Sequence, residues 1–262
     1  MSSSRIKIRP TIILFGDSIT EFAFGEAGQV GWGSLLSSAY SRRADVLSRG
    51  FSGYNTRHAL GVLPTIFGEE IDSSNNTANS RNMGASPPLL FFTVFFGAND
   101  ASLPSARQYL SIDEYDNNLR QIISTIKRKT YDVTNEQKHN HVPIFLFTPP
   151  PVASKAWDHY CTVIAPRPLS PRSNENAKEY GTKVKQIGNE LNCSVVDTFS
   201  LLGGQRAEDY YSQFLSDGLH LNGQGNSIVF EGLINVIKEN HPELLPNDNS
   251  VPLEGKLWSE LC

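Results

Sequence analysis

The sequence carries the three side-chain types that cleave an ester by nucleophilic attack, and two of them lie three residues apart. Ser18 follows a short apolar run and offers a hydroxyl nucleophile. His220 offers a base that works near neutral pH, and Asp217 precedes it on the same short turn. Because a carboxylate beside a histidine sets the tautomer of its ring, we predict that Ser18, Asp217 and His220 are the catalytic residues. Ser18 taken alone would more simply be a helix cap.

Two further polar motifs also follow apolar runs. Gly53 lies in the run RGFSGYNT and Asn99 lies in the run GAND. Each has a plain structural alternative, because glycine and Asn-Asp pairs are common in turns. We interpret Asn99 as functional, since the fully apolar run before it predicts a buried strand that ends at this residue. Asp17 and Asp100 are instead expected to brace and cap their loops.

The sequence excludes several other kinds of site. The run GDSIT has Thr20 where the elbow of an α/β-hydrolase has its second glycine. There is no dinucleotide fingerprint, no Walker A motif and no His-Glu-x-x-His motif. His139 and His141 are closely spaced, but they lie in a polar loop and are interpreted as solvated turn residues. We therefore predict no metal and no organic cofactor.

The elements that position these residues follow from the apolar pattern. Short apolar runs rich in β-branched and aromatic residues alternate with amphipathic helical patterns. The third run, LLFFTVFF, is apolar on both faces, which is typical of a buried strand in a parallel sheet. The predicted strands are 11–15, 46–49, 89–96, 144–148 and 194–196, and the predicted helices are 33–40, 55–67, 111–129, 173–191 and 225–240. This alternation indicates one parallel sheet with helices on both faces.

The polar motifs gather at one edge of this predicted sheet. Ser18, Gly53 and Asn99 follow the first, second and third strands, and the carboxyl ends of parallel strands share an edge. The motif of His220 precedes the last helix, which starts from the same edge. Chemistry in a parallel sheet is expected there.

In the combination and order of these blocks, the sequence resembles the SGNH hydrolases, also called GDSL-type esterases. That family is named for a Ser, a Gly, an Asn and a His in separate blocks, which match Ser18, Gly53, Asn99 and His220. The resemblance covers about residues 12–237. The runs RADVLSRGFSGYNTR, FFGANDA, TPPP and FLSDGLHLN look more specifically like the isoamyl acetate-hydrolysing esterase branch of the family.

The resemblance implies a three-layer α/β/α, flavodoxin-like fold with a five-stranded parallel sheet in the order 2-1-3-4-5. Strand 1 then lies between strands 2 and 3, so Gly53 and Asn99 flank Ser18. An oxyanion hole made by the backbone amides of Ser18 and Gly53 and the side-chain amide of Asn99 is implied as well. The implied activity is that of a serine esterase, which hydrolyses short-chain, acetate-type esters through an acyl-enzyme on Ser18. Ile19 stands at a position where the family often has leucine, and this difference conserves the volume of the side chain.

Two alternatives stay open on the sequence. The same catalytic residues would also serve a thioester, a lysophospholipid or an acetylated sugar as the substrate. A protein of another class, a non-catalytic flavodoxin-like module that binds a phosphate or a flavin, would use the same sheet edge. The pair Asp217 and His220 argues against the binding module, because a phosphate site gains nothing from a carboxylate aimed at its own histidine.

The length, charge and composition of the chain limit its domain organisation, its partners and its location in the cell. The length of 262 residues favours a single domain, placed at residues 1–240, with a C-terminal extension at 241–262. The net charge of -4 argues against nucleic acid as a partner. No apolar run approaches the ~20 residues of a membrane span. Sparse cysteines without a C-x-x-C motif, and a first apolar run too short for a signal peptide, predict a cytoplasmic protein.

Three features outside the motifs carry further expectations. The Pro-rich residues 149–172 follow the fourth strand and are expected to wall the pocket of a small ester substrate. Five aromatic residues near the motifs leave two alternatives open, a wall of a small apolar pocket or an ordinary place in the core, and they are Phe22, Phe24, Trp32, Tyr54 and Phe214. Leu257, Trp258 and Leu261 lie beyond the last core helix. We expect them to pack against a partner subunit and form a homodimer.

Overall fold

A computed structural model of the chain describes residues 9–26, 28–70, 79–80, 88–130, 141–166, 170–251 and 253. Seven strands are assigned within these ranges: β1 (Thr11–Gly16), β2 (Asp45–Gly50), β3 (Glu69–Glu70), β4 (Asn79–Ser80), β5 (Leu89–Phe95), β6 (Ile144–Phe147) and β7 (Ser194–Val196). The short strands β3 and β4 pair antiparallel with each other, apart from the main sheet.

The main sheet has the order β2-β1-β5-β6-β7, and all of its pairs are parallel. Counted along the chain among the five strands of this sheet, the order is 2-1-3-4-5. The predicted fold class is confirmed. Gly16 at the end of β1 pairs with Gly50 of β2 on one side and with Phe95 of β5 on the other. Three strands therefore end level with one another at one edge of the sheet.

Helices cover both faces of the sheet. They are α1 (Ser18–Glu21), α2 (Trp32–Ala39), α3 (Thr56–Ile66), α4 (Ile112–Thr130), α5 (Ser154–His159), α6 (Asn174–Glu190), α7 (Thr198–Leu201), α8 (Glu208–Ser212) and α9 (Gly223–Asn240). Successive side chains of a strand point to opposite faces. Ile12 and Leu14 of β1 pack with residues of α2 and α9, while Ile13 and Phe15 pack with residues of α3, α4 and α6. The result is the three-layer arrangement.

The predicted strands and long helices are all found, with ends that differ by one or two residues. The short helices α1, α5, α7 and α8 were not predicted, because four to six residues are too few to show a helical period. They depend on local caps and on tertiary contacts instead, as where Asp17 caps α1. Within the described part of the chain, no helix combines the length and the apolar character that crossing a bilayer requires.

The described part of the C-terminal extension packs on its own chain. Leu244 and Val251 are buried in the core layer that holds α2 and α9. The hydroxyl of Tyr40 donates to the carbonyl oxygen of Leu244 at 2.6 Å, and Arg43 pairs with Asp248 at 2.8 Å. The three apolar residues predicted to contact a partner subunit lie outside the described residues.

Candidate active site

Ser18 lies where the central strand turns into a short helix. β1 ends at Gly16, and Asp17 caps α1 by accepting a hydrogen bond from the N–H of Ile19 at 3.0 Å. Ser18 is the first residue of this helix, and an N–H at that position has no acceptor within its own helix. The turn therefore presents both a hydroxyl and a backbone donor at the carboxyl edge of the sheet.

Ser18, His220 and Asp217 form one chain of hydrogen bonds. Nε2 of His220 lies 2.9 Å from Oγ of Ser18, and Nδ1 of His220 lies 2.6 Å from Oδ2 of Asp217. The other oxygen of Asp217 accepts hydrogen bonds from the backbone N–H groups of Leu219 and His220, at 2.9 and 2.8 Å. Burial alone would raise the pKa of Asp217, but these hydrogen bonds outweigh burial and lower it from its ordinary value. An ionised Asp217 favours the proton on Nδ1, so Nε2 is free to accept the Ser18 proton.

Two aromatic side chains hold the ring of His220 from different elements. Phe22 meets it edge to face with ring centroids 5.5 Å apart, and Trp157 of α5 meets it edge to face at 5.9 Å. Trp157 is almost fully buried. Contacts on both sides limit the rotation of the imidazole ring, so its two nitrogens stay directed at Asp217 and Ser18.

A glycine between Asp217 and His220 lets their turn lie close to α5. Gly218 has a φ of +95°, which L side chains rarely adopt. A Cβ atom there would lie 2.5 Å from the backbone nitrogen of Trp157 and 2.6 Å from the carbonyl oxygen of Ala153. The close approach of the two backbones therefore depends on glycine at this position.

Gly53 and Asn99 lie on either side of Ser18. The strands that precede them, β2 and β5, are the two neighbours of β1. Gly53 has a φ of +78°, so its backbone conformation favours glycine, in addition to the room that glycine leaves for a substrate. Ser18, Gly53, Asn99 and His220 line the same pocket. The structure thus brings the predicted site residues together at one edge of the sheet.

Most of the residues that line the pocket around Ser18 have polar side chains. The lining residues are Ser18, Ser52, Gly53, Asn99, Ser105, Arg107, Gln108, Trp157, Ser170, Arg172, Leu219 and His220. Trp157, Ser170 and Arg172 all come from residues 149–172. Three residues of this segment therefore line the pocket around Ser18, and a role in limiting the substrate stays a prediction.

Of the two alternatives for the five aromatic residues, a wall of this pocket does not hold, because none of them lines it among the described residues. Trp32 is fully buried in the core, and Tyr54 packs with the helices on the other face of the sheet. Phe22 contacts the histidine ring outside this pocket, Phe24 is largely exposed, and Phe214 borders a separate surface groove. An aromatic residue that is close to a motif in the sequence can lie either in the core or in the pocket, and the sequence pattern does not distinguish the two.

Two residues that the sequence did not single out contact the predicted oxyanion residues. Nε2 of Gln108 donates to the carbonyl oxygen of Gly53 at 2.9 Å and to Oδ1 of Asn99 at 3.0 Å. Arg172 donates to the same Oδ1 of Asn99 at 2.9 Å. Neither residue belongs to a recognisable motif. The only signal in the sequence was that Arg172 ends the Pro-rich segment.

Two buried carboxylates lie beneath the site. Oδ1 of Asp100 accepts hydrogen bonds from the N–H and the hydroxyl of Thr56, at 2.9 and 2.6 Å, so Asp100 secures the start of α3. Burial raises the pKa of Asp100 to about 6 and that of Asp17 to about 7. Oδ2 of Asp17 has no hydrogen-bond partner among the described residues. In the described ranges, no group of three or more His, Cys, Asp or Glu side chains is placed so that it could hold a metal ion.

Comparison of the sequence with known proteins points to one family. Residues 14–228 match the model of the GDSL-like Lipase/Acylhydrolase family. The chain is 36% identical over 249 residues to a GDSL esterase/lipase of Arabidopsis thaliana, with 92% of this chain and 91% of that protein covered. It is 34% identical over 255 residues to the Isoamyl acetate-hydrolyzing esterase 1 homolog of Homo sapiens, with 97% of this chain and 88% of that protein covered.

Solved structures share the architecture. A lipase/acylhydrolase from Enterococcus faecalis superposes with a TM-score of 0.58 at 23% identity, covering 88% of this chain and 96% of that one. Axe2, an acetylxylan esterase from Geobacillus stearothermophilus, superposes with a TM-score of 0.57 at 18% identity, covering 88% and 95%. At these identities the likeness is one of fold.

Proposed function

Because this chain belongs to the GDSL-like lipase/acylhydrolase family and is a carboxylic ester hydrolase, we propose that it hydrolyses short-chain, acetate-type esters through an acyl-enzyme on Ser18. One observation carries the proposal. The hydroxyl of Ser18 lies 2.9 Å from Nε2 of His220, whose Nδ1 lies 2.6 Å from Asp217. This is the geometry that a serine needs in order to lose its proton as it attacks a carbonyl carbon.

In the first step, Oγ of Ser18 bonds to the carbonyl carbon of the ester, and the hydroxyl proton moves to Nε2 of His220. The imidazolium that forms is stabilised by Asp217, which lies against Nδ1 and remains ionised. The electron pair of the carbonyl bond moves onto the carbonyl oxygen. A tetrahedral intermediate with a negatively charged oxygen results.

Three donors are proposed to stabilise that oxygen: the backbone N–H groups of Ser18 and Gly53 and the side-chain amide of Asn99. Nδ2 of Asn99 donates one hydrogen to the carbonyl oxygen of Tyr54 at 2.8 Å. An amide nitrogen has two hydrogens, so one remains for the substrate oxygen. Donors held in place before the reaction stabilise the transition state more than the bound ester.

The intermediate collapses when the bond to the alcohol oxygen breaks, and His220 gives its proton to the leaving alkoxide. Water then enters, loses a proton to His220 and attacks the acyl carbon. The bond between the acyl carbon and Oγ of Ser18 then breaks, His220 gives its proton to Oγ, and the acid leaves. Side chains of this protein serve each proton transfer, and side chains and backbone N–H groups stabilise each charge, so the proposed cycle includes no cofactor.

The acetate-type substrate rests on the curated relatives and on the pocket. Relatives at 34% and 36% identity carry the name isoamyl acetate-hydrolyzing esterase 1 homolog. The polar lining of the pocket, with Ser52, Ser105 and Arg107, favours a second candidate within the same chemistry, an acetylated sugar or other acetylated polyol. Such a substrate has hydroxyl groups that pair with these side chains, whereas isoamyl acetate has none.

We also propose a cytoplasmic location. The sequence has three cysteines and no C-x-x-C spacing, a sparse set that is typical of proteins in a reducing compartment.

A panel of p-nitrophenyl esters, from acetate to laurate, tests the proposed reaction. The rate should be highest for the shortest acyl chains and should vanish in Ser18→Ala, while Ser124→Ala on the exposed side of α4 keeps it. Rapid acid quenching should trap an acetyl group on Ser18. Full activity in Ser18→Ala would overturn the nucleophile, and a maximum at laurate would overturn the substrate class. Comparing isoamyl acetate with an acetylated sugar then separates the two acetate candidates.

A further inference from the structure

One side chain ties together the two residues proposed to hold the oxyanion from either side of Ser18. Nε2 of Gln108 donates one hydrogen to the carbonyl oxygen of Gly53 at 2.9 Å and the other to Oδ1 of Asn99 at 3.0 Å. Both hydrogens of this amide are thereby used. The loop after β2 and the loop after β5 are therefore held at a set spacing by a residue that belongs to neither motif.

Arg172 determines the orientation of the side-chain amides of Asn99 and Gln108, that is, on which side of each amide its oxygen lies. A guanidinium has only donors, so any atom that it bonds must be an acceptor. One of its nitrogens lies 2.9 Å from Oδ1 of Asn99 and 3.1 Å from Oε1 of Gln108. The hydroxyl of Ser170 donates to the same Oε1 at 2.9 Å. Reversing either amide would place an NH₂ group against these donors, and so Nδ2 of Asn99 must face away from Arg172.

Arg172 is itself held firmly. It is 5% exposed, donates to the carbonyl oxygen of Ala98, pairs by an isolated backbone bridge with Ser102, and lies 5.2 Å over the ring of Trp157. Burial lowers the pKa of Arg172 to about 10, opposed in part by the nearby carboxylate of Asp17. The guanidinium therefore stays protonated at neutral pH and remains a hydrogen-bond donor.

We propose that Gln108 and Arg172 are positioning residues of the oxyanion hole, which orient the Asn99 amide with Nδ2 toward the substrate and hold Asn99 and Gly53 at a set spacing. The inference rests on the proposed function, since it assumes that Asn99 donates to the oxyanion. It adds two residues that act through Asn99 and Gly53 rather than on the substrate.

The sharpest single variant is Gln108→Leu, because leucine is of similar size and lacks both donor hydrogens. We expect kcat to fall about 10- to 100-fold while KM stays within about threefold, since the loss is felt only when the oxyanion forms. Gln108→Glu keeps an acceptor for Arg172 and Ser170 but turns an oxygen toward Oδ1 of Asn99. It should lower kcat at least as much. Gln121→Leu, on the exposed side of α4, is the matched control and should leave both constants unchanged.

A double-mutant cycle distinguishes positioning from a general structural effect. In an Asn99→Ala background, Gln108→Leu should lower kcat by less than about threefold, because the amide that it orients is gone. The unfolding midpoint of every variant is measured alongside the kinetics.

Three outcomes would overturn the inference: an unchanged kcat in Gln108→Leu, a raised KM with kcat preserved, or the same loss of kcat in both backgrounds. Each is distinct from a failure of the proposed function itself. That failure would appear as activity in Ser18→Ala or as an unimpaired Asn99→Ala. Arg172→Lys gives an independent check, since lysine keeps the charge but not the planar fork. It should also lower kcat more than it changes KM.

Discussion

The backbone N–H of Ala153 donates a hydrogen bond of 2.9 Å to the carbonyl oxygen of Gly218. This bond joins the start of α5 to the turn that carries Asp217 and His220, although the two segments lie far apart in the sequence. The same helix contributes Trp157, which packs on the ring of His220. The Pro-rich segment after β6 therefore supports the proposed base as well as lining the pocket.

Gly218→Ala is expected to impair both folding and catalysis. The substitution adds a Cβ that would lie 2.5 Å from the nitrogen of Trp157, on a backbone with a φ of +95°. The turn must shift, and a displacement of about 1 Å in a catalytic group can cost about 100-fold in rate. We expect kcat to fall at least about tenfold and the free energy of unfolding to fall by about 1–3 kcal/mol, measured by ester hydrolysis and urea denaturation.

Gly61→Ala is the matched control for this substitution. Gly61 lies inside α3, and apart from its chain neighbours and the backbone of its own helix no heavy atom lies within 4 Å of the added Cβ. Alanine there should raise the free energy of unfolding by about 0.4–1 kcal/mol and leave kcat unchanged. If both glycine variants have the same kcat and the same free energy of unfolding, the turn of His220 does not depend on the positive φ of Gly218.

Asn99→Ala should separate transition-state stabilisation from substrate binding. Loss of one oxyanion donor typically lowers kcat by about 100- to 1,000-fold, with KM changed only a few-fold. Steady-state kinetics with p-nitrophenyl acetate measure both constants. A strong rise of KM with kcat preserved would mean that Asn99 binds the ground-state ester instead.

Asp100→Ala is the neighbouring control, because Asp100 accepts two hydrogen bonds from Thr56 at the start of α3 and does not line the pocket among the described residues. Its loss leaves a buried N–H and a buried hydroxyl of Thr56 without their acceptor. We expect the free energy of unfolding to fall by about 1–3 kcal/mol. The effect on kcat should be smaller than that of Asn99→Ala.

Asp17→Asn should change how stability depends on pH. Burial raises the pKa of Asp17 from 3.8 to about 7, so between these values the folded protein holds a proton that the unfolded chain has lost. The free energy of unfolding therefore falls as the pH rises through this window, by at most about 1.4 kcal/mol per pH unit. Asparagine can still accept the N–H of Ile19 but does not ionise.

Compared with the native protein, Asp17→Asn should therefore gain stability as the pH rises from about 5 to about 8. Urea denaturation across this range measures the difference. Parallel curves for the two proteins would show that Asp17 is not the buried group that titrates.

Truncation after Val251 tests the predicted homodimer. It keeps the part of the extension that packs on its own chain, including Leu244 and the pair of Arg43 with Asp248, and removes Leu257, Trp258 and Leu261. We expect light scattering to show a dimer for the full chain and a monomer for the truncated one, and the unfolding midpoint to depend on protein concentration only for the full chain. A full chain that is already monomeric would contradict the prediction.

Local patterns in the sequence were enough to predict the sheet, its long helices and the position of the five predicted site residues at its carboxyl edge. The hydrophobic periodicity of strands and helices is a short-range property, so it can be recognised in the sequence. The order of the strands came from the resemblance of four ordered blocks to a known family. The order of strands then placed Gly53 and Asn99 beside Ser18, because neighbouring strands that end level bring their following loops together.

Contacts between loops were beyond what these patterns could predict. Gln108 and Arg172 reach Asn99 from segments with no period and no motif, and their bonds exist only once β5 and residues 149–172 have packed. Both Trp32 and Trp157 are buried, and only their contacts distinguish them. Trp32 donates from Nε1 to the carbonyl oxygen of Ile19, whereas Trp157 lies against the ring of His220 and lines the pocket. The raised pKa of Asp17 likewise comes from the layers that close over it, because desolvation is a property of the packed protein rather than of the residue.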